Sequence, residues 1–160
     1  MNSDHFFLQR AVALAMRNAV PGGCPEGGPF GAVVVRNGSI IGEGWNQVVA
    51  SHDPTAHAEV QAIRAACRAQ GDHHLSGATL YASSEPCPLC LAAAYWARIA
   101  RIVFANPRHE AAAIGFCDDD LYRELALPLA ARGLPIEHLP LPDANAPLRR
   151  WLDDPQHTLY

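Results

Sequence analysis

The chain has 160 residues, 49% hydrophobic and 18% charged, the size and composition of one ordinary globular domain, which excludes disordered, fibrous and low-complexity classes. Its longest apolar run, Leu89 to Ala97, is about half of the ~20 residues needed to span a bilayer, so no membrane-spanning helix is expected. Net charge is −4 and all 12 basic residues are Arg, without the basic excess of a dedicated nucleic-acid binder, so neither a nucleic-acid nor a membrane partner is expected.

Residues 4–20 carry Phe7, Ala11, Val12, Ala15, Met16 and Ala19 at helical spacing, and Pro21 ends that first amphipathic helix. After a Gly/Pro stretch, Phe30 to Val35 and Ser39 to Asn46 flank Asn37-Gly38, the strongest short-range signal for a β-hairpin. Asp53-Pro54-Thr55 marks a helix start, the helix opens at His57 and Glu59, and Gly71 stops it. Thr79 to Ser83 reads as a buried strand that turns through Glu85-Pro86-Cys87-Pro88 into an Ala-rich helix ending at Arg98. Ile102 to Ala105 is a fourth strand, 120–127 a helix and Ile136 to Leu141 a fifth strand, followed by Pro-rich turns between short elements. Strands alternating with helices predict a mixed sheet covered on both faces.

Cys24, Cys67, Cys87, Cys90 and Cys117 form an odd, irregularly spaced set, a poor disulfide framework that favours reduced thiols and a metal. The N-terminus carries Asp4 and no basic stretch ahead of a signal-length apolar core, so a cytoplasmic protein is expected. Cys87-Pro88-Leu89-Cys90 at a helix start puts two thiols within reach of one ion, where the helix dipole favours thiolate. Alone, the pair also reads as a redox dithiol or a structural zinc half-site. If the two helix starts meet at one sheet edge, His57 becomes a third ligand. Cys67 lies ten residues further along the same helix, a rise of roughly 15 Å, too far to join it. Catalytic zinc keeps three protein ligands and leaves the fourth position to water, and Glu59 stands where a proton carrier is needed.

His57-Ala58-Glu59 with Pro86-Cys87-Pro88-Leu89-Cys90 resembles the zinc-dependent nucleobase and nucleoside deaminases of the cytidine/deoxycytidylate deaminase superfamily. The resemblance implies one zinc per subunit on His57, Cys87 and Cys90, with Glu59 moving a proton to a ring nitrogen and helping the amine leave as ammonia. It also implies a three-layer α/β/α sandwich around a central five-stranded mixed sheet, in a single domain spanning 1–160. Within that superfamily, nearly the whole chain is similar to the short, bacterial-type guanine deaminases. The similarity is carried by Gly27-Gly28-Pro29-Phe30-Gly31, Asn46, Asp53 to Val60, Ser84 to Pro88, Tyr95 to Arg98, Gly115-Phe116 with Asp118, and Tyr160. Leu89 stands where that family usually has Met, and Cys117 where an acidic residue precedes the Asp, which leaves the register open between Asp118 and Asp119.

This similarity implies hydrolysis of guanine, a small purine base, to xanthine and ammonia. Asn46 would read the purine edge and Phe30 would pack on the ring. A carboxylate such as Asp118 accepts from both the ring N–H and the exocyclic amine of guanine and opposes the lone pair that adenine presents instead. Asp118-Asp119-Asp120 also reads as an exposed acidic run capping the next helix, and Trp96 as a core or subunit contact. The similarity further implies a homodimer in which a segment of about 150–160 is swapped and Tyr160 covers the active site of the partner subunit; the bland reading of those residues is a frayed tail. Competing functions are a guanosine or other small amino-heterocycle deaminase, a tRNA adenosine deaminase, and a zinc-stabilised binding module, the last having no need of Glu59.

Overall fold

The structure, a computed structural model, describes residues 3–23 and 25–160, so Cys24 lies outside the described residues. The chain forms two compact units, residues 1–122 and 123–160. In the first, helix α1 (Ser3–Ala15) runs into a 3-10 turn, and strands β1 (Gly31–Arg36) and β2 (Ser39–Trp45) form the expected hairpin. Asn37 and Gly38 take positive φ of 52° and 76°, as a two-residue hairpin turn requires. A short helix α2 (Val48–Ser51), helix α3 (Ala58–Gln70), strand β3 (Thr79–Ser84), helix α4 (Pro88–Trp96), strand β4 (Arg101–Asn106), helix α5 (Arg108–Ala113) and helix α6 (Asp118–Ala126) follow. Asp53 does not start α3; it closes a turn by accepting the Thr55 N–H at 2.8 Å, and His57 is the N-cap.

Among the described residues the sheet is mixed and four-stranded, in the order β2-β1-β3-β4, with only β3 and β4 parallel. Strand β1 is buried on both faces, which explains its unbroken apolar run. Val33 and Val35 pack with Phe7 and Leu14 of α1, while Ala32 and Val34 pack with Ala58, Ala62 and Ala66 of α3 and Ala94 of α4. That alternation makes the three layers. A side chain on Gly42 or Gly44 of β2 would overlap the α3 backbone at Ala62 or Ala58. These two glycines therefore let α3 lie directly on the sheet.

The expected fifth strand, Ile136 to Leu141, is not a strand: residues 134–141 are irregular. Pro135 and Pro142 bracket it and Pro140 lies within it; each lacks the N–H that a ladder needs. The second unit instead holds the end of α6, a 3-10 turn and helix α7 (Ala146–Asp153). Pro147 sits in the first turn of α7, where its missing N–H costs nothing. Within that unit the Gly133 N–H donates to Glu124 at 2.7 Å.

Candidate active site

Strands β2 and β3 each pair antiparallel with β1 and so run the same way, which brings the turns after both to one edge of the sheet. His57 caps α3 and Cys87 caps α4, and neither spends its side chain on the cap. Both backbones are extended there (ψ 153° and 170°), so the side chains are available at the rim. Pro88, at the start of α4, fixes the first turn, and Cys90 follows one turn in.

His57 Nδ1 lies 3.5 Å from both Cys87 Sγ and Cys90 Sγ, and the two sulfurs are 3.6 Å apart. A tetrahedral ion with the usual Zn–S and Zn–N lengths separates its donors by roughly 3.6–3.8 Å. The donor set therefore fits zinc in both spacing and softness, and no fourth His, Cys, Asp or Glu joins it among the described residues. Cys67, half-buried, is not in the cluster. A hydrogen bond from Cys90, reinforced by His57, holds the Cys87 thiol down at about 4, and the His57 imidazole is raised in turn by its bond to Cys87. The Cys90 thiol is pushed up, first by its hydrogen bond to Cys87 and then by burial.

Glu59, on the first turn of α3, is buried, and that burial lifts its carboxyl to about 7. It lines the same cavity as His57 and Cys87, a recess of about 230 Å³ whose walls also include Phe30, Asn46, Phe116 and Asp118. This volume falls below the ~300 Å³ at which pockets for drug-sized ligands begin, a size suited to one flat heterocycle. Asn46 is buried and its Oδ1 accepts the N–H groups of Gly28 and Val48, each at 3.2 Å. Those two donors fix the amide orientation and leave Nδ2 as the group Asn46 can offer an occupant. Phe30 and Phe116 meet edge to face, 4.9 Å between centroids.

Asp118, at the start of α6, lines the cavity, whereas Asp119 pairs with Arg108 at 3.0 Å. Burial and the Cys87 sulfur raise the Asp118 carboxyl. Trp96 is 63% exposed, which removes the core reading for it. Tyr160, in the second unit, is 68% exposed. Three residues that frame the site carry no motif. Asn18, fully buried, donates through Nδ2 to the carbonyls of Gly28 (2.9 Å) and Asn46 (2.7 Å). Glu26 accepts from Trp45 Nε1 and Gln47 Nε2 at 2.8 and 2.9 Å. Arg108 N donates to Glu85 at 3.0 Å. Only Asn18 had a signal in sequence, a polar residue on the face marked by Phe7, Ala11 and Leu14.

Residues 1–106 match the cytidine and deoxycytidylate deaminase zinc-binding region. The chain belongs to this deaminase family. It is similar to the guanine deaminase of Bacillus subtilis (strain 168), 46% identical over 145 residues that cover 91% of each chain. The crystal structure of guanine deaminase from Bacillus subtilis superposes with a TM-score of 0.91 at 44% identity, covering 98% of both chains. The tRNA-specific adenosine deaminase of Buchnera aphidicola is 41% identical over 103 residues, 64% of this chain and 61% of that protein. The similarity to the guanine deaminase thus covers nearly all of both chains, and that to the tRNA deaminase less than two thirds of either.

Proposed function

We propose that this deaminase hydrolyses guanine to xanthine and ammonia in purine salvage or catabolism. The observation that carries the reading is a three-donor cluster, with a buried Glu59 and Asp118 lining one cavity sized for a single base. His57, Cys87 and Cys90 would hold one zinc per chain, which supplies the Lewis acidity that makes water nucleophilic at neutral pH. Asp118 accepts from the ring N–H and exocyclic amine of guanine, Asn46 Nδ2 donates to the purine edge, and Phe30 packs on the ring. Glu59 takes one proton from the attacking water and passes it to the ring nitrogen, then carries the proton of the newly formed hydroxyl to the amine, which leaves as ammonia as the carbonyl forms, a shuttle suited to a carboxyl held near neutrality. Cys67, Cys87, Cys90 and Cys117 are free thiols, which supports a cytoplasmic location.

Residues 1–160 act as one deaminase domain within a homodimer. The segment of about 150–160 is exchanged between subunits, so that Tyr160 of the partner subunit closes the cavity. Support for an exchange is the apolar stripe on α7, where Leu148 and Leu152 are exposed and Trp151 partly so. The test of the substrate is ammonia release from guanine, guanosine, adenine and cytosine by the purified protein, with an adenosine-bearing tRNA stem-loop in parallel. Ammonia from guanine above all others is expected; release from guanosine or the stem-loop in its place overturns the assignment.

A further inference from the structure

Helix α6 carries Asp118 into the cavity yet buries none of its own residues, so packing alone does not fix where that carboxylate stands. Its first turns are instead tied to the zinc-motif turn by one side chain and one hydroxyl. Arg108 Nε is 3.0 Å from Asp119 Oδ1 and 3.7 Å from Glu85 Oε1, while the Arg108 backbone N–H donates to Glu85 Oε2 at 3.0 Å. The same guanidinium lies 4.6 Å over the Tyr122 ring, and the Tyr122 hydroxyl donates to the Pro86 carbonyl at 2.9 Å. Glu85 and Pro86 directly precede Cys87. We infer that Arg108 is a positioning residue that latches the first turns of α6 to the Glu85-Pro86 turn and thereby sets the distance of Asp118 from the metal ligands.

A lone surface ion pair contributes about 0–1 kcal/mol and would make a poor brace. Here a planar, stacked guanidinium joins two carboxylates on different segments at once, which a lysine ammonium cannot reproduce. Gly115, with φ of 100°, lies in the short link between α5 and α6, a point at which the angle of α6 can shift when the guanidinium contacts are lost.

The inference rests on the reading of Asp118 as the carboxylate that holds guanine. Steady-state kinetics on guanine, zinc content and melting temperature are measured for wild type, Arg108→Ala, Arg108→Lys, Asp119→Asn and the Arg108→Ala/Asp119→Asn double variant. The latch predicts a KM raised about 10-fold in Arg108→Ala, with kcat little changed and zinc retained, because ground-state placement is lost. Arg108→Lys, which keeps the charge and the fold, should also raise KM, and the double variant should be no worse than Arg108→Ala. A wild-type KM in both Arg108 variants, a multiplicative double variant, or a fall in kcat that tracks lost zinc overturns the latch. If wild type itself fails to deaminate guanine, the reading of Asp118 falls; if it succeeds while the variants match it, the latch alone falls.

Discussion

At Glu59, burial and the Cys87 sulfur favour the protonated acid, while the Cys90 thiol and the His57 imidazole favour the carboxylate. A carboxyl balanced in this way can both take and return a proton near neutral pH. Glu59→Gln keeps the shape and loses the proton acceptor, so kcat on guanine should fall at least ~100-fold with zinc, read by metal analysis, unchanged. Asn18 acts one layer further out, through the two carbonyls it holds. Asn18→Ala strands those carbonyls, at about 1–3 kcal/mol for a buried unpaired group, and should lower the melting temperature while raising KM more than it lowers kcat. The cluster of His57, Cys87 and Cys90 and the buried Glu59 were legible as candidates because their spacing is chemistry that no helix or strand demands. Arg108 and Glu26 were not, since nothing in the chain order says that an Arg after β4 will meet Glu85 or that a loop Glu will meet Trp45. The register at Asp118 and Asp119 also needed three dimensions: only the side-chain directions at the start of α6 separate the one lining the cavity from the one paired with Arg108.

Among the elements, α3 has the most demanding position, because its N-terminus presents both His57 and Glu59 while its body lies on β2 without side chains between. Gly44→Ala would drive a methyl group into the Ala58 carbonyl and the Ala62 backbone. Overpacking against backbone belongs near the upper end of its usual range, about 3 kcal/mol. The expected result is a melting temperature lower by roughly 6–12 °C for a chain of this size, with zinc affinity weakened as the start of α3 lifts. Calorimetry and zinc titration of this variant check both, and a variant with wild-type stability and zinc binding would show that α3 does not depend on the contact. Strand and helix periods made β1 to β4, α1, α3 and α4 readable from sequence, along with the meeting of two helix starts at one edge. The fifth strand is absent because, although Ile136 to Leu141 has strand-like apolar residues, Pro140 within it and Pro135 and Pro142 beside it decide the outcome. Helix α5 escaped notice because six residues, three of them consecutive Ala, carry too short a period.

For the whole molecule, the proposed exchange of residues 150–160 makes each active site depend on two chains. Deleting residues 156–160 should then lower guanine turnover strongly with zinc intact, and light scattering of the full chain should give twice the 17.2 kDa chain mass. Unchanged kinetics in the truncated protein would show the tail to be dispensable. The central claim, that guanine is hydrolysed at a single zinc held by His57, Cys87 and Cys90, is tested most directly by stripping the metal with a chelator. Zn²⁺ is then returned in steps while xanthine formation is followed against bound metal. The account predicts activity that is absent without metal and rises in proportion to bound zinc up to one equivalent per chain, with no recovery in Cys87→Ala. Full xanthine production by the metal-free protein, or by zinc-treated Cys87→Ala, would contradict it.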